Sequence, residues 1–69
     1  MRFEIIDTNP ALMIIYPPKD HQILTENGYV AAQNVKVGDL VTAYGKQFSI
    51  HAAQLRPTDQ LYEIKGYLE

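Results

Sequence analysis

The stretch that decides the fold is His21-Gln22-Ile23-Leu24-Thr25-Glu26-Asn27-Gly28-Tyr29-Val30-Ala31-Ala32-Gln33-Asn34-Val35-Lys36-Val37-Gly38-Asp39-Leu40-Val41. Its residues 22–25 are strand formers with two large aliphatic side chains at their centre. Residues 26–28 favour a turn, because Asn and Gly tolerate the positive φ that tight hairpin turns need. Residues 29–31 then predict the antiparallel partner strand of a hairpin.

The second half of this stretch predicts a connector and a further strand. Residues 32–35 are too few for an independent helix, so we expect a single helical turn or a loop. Residues 36–39 end in Gly38-Asp39 and indicate a second turn, and residues 40–44 predict a strand. The stretch as a whole therefore predicts two consecutive β reversals.

The residues before this stretch predict two more strands. Residues 2–6 alternate between charged and apolar side chains and end in two isoleucines, which predicts a strand. Residues 7–10 are turn formers ending in Pro10. Residues 11–16 are continuously apolar, which is typical of a strand buried on both faces. A helix there is confined to six residues by Pro10 and by Pro17-Pro18.

The residues after this stretch predict the last two strands. Gly45-Lys46 indicates a turn into a strand over residues 47–52, in which Phe48 and Ile50 share one face. The opposite face of that strand carries Gln47, Ser49 and His51. Residues 53–56 favour no single element, and residues 57–59 interrupt the strand pattern. Residues 61–67 predict the last strand.

These elements predict an all-β fold of about six or seven short strands with little or no helix. Turns recur every eight to twelve residues or so, which is typical of a small sandwich or compact barrel. The 69 residues form one domain, and a chain this short buries only about 60% of its unfolded surface. Without cysteine there is no disulfide to stabilise it, so we expect either well-packed β structure or association with a partner or a second copy.

The charge pattern argues against several classes of function. The net charge is −2 and no run of basic residues is present, so nucleic-acid binding is not expected. The longest apolar run, residues 11–16, is too short to span a bilayer. Glu4 interrupts what would be the apolar segment of a signal peptide. We therefore expect a cytoplasmic protein that does not enter a membrane.

The spacing of His21, Thr25, Gly28-Tyr29 and Gly38-Asp39 resembles the central motif of the Hint module. That module is the all-β fold of inteins, Hedgehog autoprocessing domains and bacterial Hint domains. The resemblance covers residues 21–41 and implies a small Hint-like β fold. It also implies a setting on a mobile element or in a phage.

The catalytic residues of the Hint family have no counterparts here. Active modules carry a Thr three residues before the motif His, where this chain has Pro18 with neither a hydroxyl nor a backbone N–H. The family's nucleophile is an N-terminal Cys or Ser, whereas this chain has no Cys and a single serine, Ser49. The sequence ends without the His-Asn pair of splicing types. We expect no self-cleavage, no splicing and no cofactor.

The two histidines favour structural or surface roles. His21 follows Asp20 at the start of a strand, where a hydrogen-bonded or exposed position is the common case and a role in binding or proton chemistry is the alternative. His51 shares its strand face with Ser49 and indicates a surface position. Asp20, His21 and His51 lack the spacing of a metal site, so no metal is expected. Gly38-Asp39 is interpreted as a required turn.

The five tyrosines have three interpretations. They could pack on strand faces, stack single-stranded nucleic acid, or anchor a protein interface, where tyrosine is enriched. No run of basic residues accompanies the tyrosines, which argues against the stacking of nucleic acid. Tyr16, Tyr44 and Tyr67 are the candidate binding residues.

Three hypotheses for function follow. The first is a non-catalytic, Hint-like module that binds protein through an exposed edge or an aromatic face, as a homodimer or with a partner. The second is a fragment of a split or trimmed autoprocessing element whose nucleophile arrives on another segment. The third is an unrelated small β-barrel that binds peptide or nucleic acid.

Overall fold

Strands make up most of this protein, as seen in a computed structural model that describes residues 2–69. One 3₁₀ turn spans Ala32–Asn34, and no α-helix occurs among those residues. The strands are β1 (Arg2–Ile6), β2 (Leu12–Tyr16), β3 (Gln22–Thr25), β4 (Gly28–Ala31), β5 (Leu40–Ala43), β6 (Lys46–Leu55) and β7 (Tyr62–Leu68). The all-β prediction is confirmed, with seven strands where six or seven were expected.

The seven strands form one antiparallel sheet in the order β1-β2-β7-β6-β5-β3-β4. Hairpins link β1 to β2, β3 to β4, β5 to β6 and β6 to β7. The pairs β2–β7 and β3–β5 instead join strands that do not follow one another in the chain. Strands β1 and β4 stand at the two ends of the order, so each leaves one side unpaired within residues 2–69.

One face of this sheet carries the hydrophobic core. Side chains alternate between the two faces of a strand, so every second residue of the central strands points inward. The largest fully buried aliphatic and aromatic side chains are Phe48, Met13, Ile50, Ile64 and Val41. The 3₁₀ turn adds to the core because Ala32 and Val35 are buried against the same cluster. The connector after the first hairpin therefore helps to close the core.

Strand β2 is buried on both faces, as its continuous apolar sequence predicts. Met13 and Ile15 belong to the core, with exposed fractions of 0% and 2%. Ile14 points to the opposite face and is still only 9% exposed. It pairs with Glu4 on one side and Lys65 on the other, whose side chains are half-buried.

Strand β6 is longer than predicted. The sequence predicted an end at Ala52 and left residues 53–56 without an element, but pairing with β7 continues to Leu55. A bulge at His51 shifts the register between Ile50 and Ala52, and this extra residue keeps the strand paired past the irregularity. Phe48 and Ile50 lie on the buried face, as predicted.

The turn between β5 and β6 lies one residue earlier than predicted. Tyr44 and Gly45 form it, with φ of 52° and 72°, and Lys46 is already paired with Ala43 as the first residue of β6. A two-residue hairpin turn of type I′ needs positive φ at both central positions. The prediction of a Gly45-Lys46 turn was wrong because Tyr44 adopts a conformation that tyrosine seldom takes.

Candidate interaction surface

The motif residues of the first hairpin serve its geometry. Thr25 and Gly28 are paired across a turn made by Glu26 and Asn27, and Gly28 has φ of 90°. A positive φ at the residue after the turn is the pattern of a type I turn followed by a G1 bulge. Tyr29 follows on β4 with its side chain 68% exposed.

Thr25 is a buried polar residue in this hairpin, with an exposed fraction of 6%. Its hydroxyl donates to the carbonyl of Gly28 at 2.9 Å and accepts from the backbone N–H of Asn27 at 3.1 Å. The hydroxyl is thus engaged on both sides by the turn that it closes. Sequence reasoning placed Thr25 in the motif but gave no sign of this hydrogen bonding.

Gly38 and Asp39 form the second turn, and that turn is docked on β6. The carboxylate of Asp39 accepts from the N–H of Lys36 at 3.0 Å, which closes the turn on itself. Gly38 donates to the carbonyl of Ile50, and Ile50 donates to the carbonyl of Asp39, both at 2.9 Å. With φ of 97°, Gly38 occupies a conformation that favours glycine.

His21 is exposed and takes part in the structure through its backbone. Its N–H donates to the carbonyl of Pro18 at 3.1 Å, and its carbonyl accepts from Ala32 at 2.9 Å. Pro18 forms an isolated bridge with Leu61 and offers no hydroxyl near the histidine. Within residues 2–69, no three His, Asp or Glu side chains come together as a metal site would require.

The three candidate tyrosines contact three different partners. Tyr16 lies under the guanidinium of Arg56, whose central carbon is 4.7 Å from the ring centroid. Tyr67 stands 5.1 Å from the ring of His51, in an edge-to-face arrangement. Tyr44 packs on the ring of Phe3 at 4.7 Å.

These three tyrosines lie apart from one another. Strand β2 pairs Leu12 with Tyr67, whereas Tyr16 is at the other end of the same strand. Tyr44 belongs to the β5–β6 turn. In the part of the chain that the structure describes, these three tyrosines therefore form no continuous stacking platform of the kind that single-stranded nucleic acid uses.

The unpaired side of β1 presents backbone groups at Phe3 and Ile5. In β2, the carbonyl of Ala11 accepts from Leu68, and the carbonyl of Pro17 accepts from Tyr62. Because ladder bonds alternate along an antiparallel strand, odd-numbered residues of β2 bond to β7 and even-numbered ones to β1. Glu4 and Ile6 therefore bond to β2, and the N–H and C=O groups of Phe3 and Ile5 point away from the sheet.

The same argument defines the unpaired side of β4. Ala32 donates to His21, which continues the β3–β4 ladder, so Val30 bonds inward and Tyr29 and Ala31 point outward. Large apolar side chains are exposed on the edge strands, with Ile5 at 46%, Ile6 at 40% and Tyr29 at 68%. Sequence reasoning did not single out Ile5 and Ile6, although an adjacent Ile pair at the end of a first strand is a visible signal.

A small apolar groove lies where β3 and β5 separate. The two strands share the paired position Thr25–Val41 and diverge beyond it. The groove has a volume of about 230 Å³. Its lining includes Phe3 from β1, Ile15 from β2, Ile23 from β3, Ala43 from β5 and Tyr29 from β4. Residues from both edge strands therefore face one groove.

The remaining observations concern membranes and relatives. Over residues 2–69, none of the helical structure has the length and apolar character that crossing a bilayer demands. No family model matches the sequence, and no curated protein or solved structure matches the chain. The geometry of the described residues is therefore the basis for assigning a function.

Proposed function

We propose that this chain is a non-catalytic protein-interaction module that associates with itself through an open edge of its sheet. The observation that carries the proposal is strand β1, which has no partner strand on its outer side within residues 2–69 and whose Ile5 and Ile6 are exposed. Such an edge is a template for pairing with another strand. In a chain of 69 residues, a second copy would also enlarge a small core.

The arrangement of the Hint-like motif supports a non-catalytic role. The hydroxyl of Thr25 is engaged by its own turn, and the carboxylate of Asp39 is engaged by the N–H of Lys36. Pro18 stands where the family's amide-activating threonine would be. Ser49, the single serine of the chain, lies within β6 and is paired with Leu40 and Tyr67. We propose that the Hint-like residues act here as turn formers.

Sedimentation equilibrium over a wide range of protein concentrations tests the association. We expect a reversible monomer–dimer equilibrium, with the dimer mass at high concentration. A molecule that stays monomeric at all concentrations would contradict self-association. Intact-mass measurement after long incubation tests the non-catalytic part, and we expect an unchanged mass; a loss or gain of mass at a peptide bond would show autoprocessing instead.

A further inference from the structure

Strand β1 is an edge strand without the features that usually protect an edge. Natural edge strands are blunted by proline, by lysine, by a bulge or by short length. Strand β1 has five residues with neither proline nor lysine, and its register with β2 is regular throughout. Its two isoleucines, Ile5 and Ile6, are exposed by 46% and 40%. A regular apolar edge of this kind is typical of a strand that pairs with another strand.

Ile5 is the residue of β1 that is best placed to centre such pairing. Glu4 and Ile6 bond to β2, so the N–H and C=O groups of Ile5 point away from the sheet. In an antiparallel pair, such a residue can exchange both of its hydrogen bonds with one residue of the other strand. Ile5 also has the largest exposed fraction among the apolar residues of β1. One residue therefore offers both the backbone groups and the apolar surface.

We propose that two copies of this chain pair β1 with β1, antiparallel, about a two-fold axis at Ile5. This inference rests on the proposed self-association and names the surface that performs it. Ile5 of one copy stands opposite Ile5 of the other, and each donates its N–H to the carbonyl of the other. The outward groups of Phe3 then face Asp7 of the other copy, just after the end of β1. A two-fold dimer uses the same patch on both subunits, and a residue that pairs with itself meets that requirement.

The axis at Ile5 brings both isoleucines into the interface. Ile6 of each copy stands opposite Glu4 of the other, and the pairing makes no use of the Glu4 carboxylate. Moving the axis by one residue shifts the register by two and keeps the two faces aligned. With the axis at Glu4, two glutamates would stand directly opposite each other and Ile6 would move to the end of the pair. With the axis at Ile6, the pairing would run into residues 7–10, where the chain turns.

Pairing along one edge strand gives a weak dimer. Stable interfaces bury about 800 Å² on each partner, which is about a fifth of the 4314 Å² that this chain exposes. Five residues of one strand contribute less than that, so we expect a dissociation constant in the micromolar range or above. The dimer therefore has to be studied at protein concentrations up to about 1 mM.

Opposite charges at position 5 test the axis. Ile5→Lys and Ile5→Glu each place two like charges directly across the pair, so we expect each variant alone to dimerise about tenfold more weakly. An equal mixture of the two variants places a lysine opposite a glutamate at the axis, so it should form a heterodimer about tenfold tighter than either homodimer. Sedimentation equilibrium gives the constants, and circular dichroism establishes that each variant is folded.

A lysine on the other edge is the matched control. Tyr29 lies on β4, its side chain is 68% exposed, and its N–H and C=O groups point away from the sheet. Tyr29→Lys protects that edge in the way that Ile5→Lys protects β1. We expect this variant to fold normally and to change the dissociation constant by less than about twofold.

Hydrogen exchange of the unaltered protein tests the same pairing without a variant. The amide of Ile5 points away from the sheet in a single copy and is hydrogen-bonded in the dimer. It should therefore exchange about tenfold more slowly well above the dissociation constant than below it. The amide of Tyr29, outward on the other edge, should exchange equally at both concentrations. An Ile5 amide whose exchange does not depend on concentration would overturn the β1 pairing even if the charged variants fail to fold.

The outcomes separate this inference from the broader proposal. A dimer that Tyr29→Lys weakens as much as Ile5→Lys does, or that neither charged variant of Ile5 weakens, would overturn the β1 pairing and leave self-association standing. Homodimers weakened by both charges, with no tighter heterodimer in the mixture, would overturn the axis at Ile5. A protein that stays monomeric at all concentrations would overturn both proposals together.

Discussion

The ring of Phe3 stands 4.7 Å from the ring of Tyr44 at an angle of 89°, so the first strand contacts the β5–β6 turn with no backbone pairing between them. Edge-to-face aromatic pairs at this separation attract each other. Tyr44 makes this contact with φ of 52°, a conformation that is costly for a residue with a side chain other than Asn or Asp. At Tyr44, the ring contact stabilises the fold and the positive φ destabilises it.

Two substitutions of Tyr44 separate these effects. Tyr44→Ala should lower the free energy of unfolding by about 0.5–1.5 kcal/mol, because the ring contact is lost and the backbone cost remains. Tyr44→Asn loses the same contact but tolerates positive φ, so it should be more stable than Tyr44→Ala by roughly 0.5–1 kcal/mol. Urea denaturation measures both values. An alanine variant as stable as the asparagine variant would mean that positive φ at position 44 does not destabilise the turn.

Gly66 of β7 lies where β6 leaves no room for a side chain. A Cβ built on this residue would lie 2.9 Å from the Cδ1 of Ile50 and 2.9 Å from the carbonyl oxygen of Ser49. Gly66→Ala should therefore lower the free energy of unfolding by about 1–3 kcal/mol through overpacking of the core. Denaturant melts of Gly66→Ala alone and with Ile50→Val measure the effect.

The double variant identifies the atoms responsible. Ile50→Val removes Cδ1 and relieves one of the two short contacts, but it leaves the carbonyl of Ser49 in place. We expect it to recover part of the stability lost by Gly66→Ala. A Gly66→Ala protein as stable as the original would show that β6 and β7 separate easily at this point, contrary to the packing described above.

The local elements could be predicted because turn-forming residues bound nearly every strand. Residues 7–10, 26–27 and 57–59 each separate one strand from the next. Side chains alternate between the two faces of a strand, and this alternation correctly predicts that Phe48 and Ile50 share the buried face. These effects act within a few residues of the chain, so they can be predicted from the local sequence.

The order of the strands could not be predicted in the same way. The pairing of β2 with β7 brings Leu12 to Tyr67, and no local pattern selects that partner from the other strands. The continuation of β6 past Ala52 depends on β7 lying beside it, since pairing compensates for weak strand propensity in residues 53–55. The separation of the three candidate tyrosines has the same origin, because strand order determines which side chains become neighbours.

Thr25 tests whether a motif residue serves structure. Thr25→Val keeps the shape of the side chain but removes the hydroxyl that bonds to the carbonyl of Gly28 and the N–H of Asn27. We expect a loss of about 1–2 kcal/mol in the free energy of unfolding, because both backbone groups lose a partner. Thr42→Val is the control: Thr42 is also a strand threonine, half-buried where Thr25 is buried, and its substitution should change stability by less than about 0.5 kcal/mol. Equal losses in both variants would argue against a special role for the Thr25 hydroxyl.

The first hairpin is attached to the rest of the sheet by a short junction at Glu26. The β3–β5 pairing has one registered position, Thr25–Val41, and Glu26 reinforces it twice. Its N–H donates to the carbonyl of Leu40, and its carboxylate accepts from the N–H of Leu40, both at 3.1 Å. Because so few hydrogen bonds hold this hairpin to β5, we expect β3 and β4 to open together more easily than the other strands.

Hydrogen exchange measured amide by amide tests this local opening. Glu26→Ala removes the carboxylate and should speed exchange of the inward-pointing amides of β3 and β4 about two- to tenfold, with those of β6 and β7 unchanged. Glu26→Gln keeps an acceptor oxygen at the same reach and should change exchange by less than about twofold. A uniform acceleration across all seven strands would mean that the hairpin opens only when the whole sheet unfolds, and the junction at Glu26 would then have no separate role.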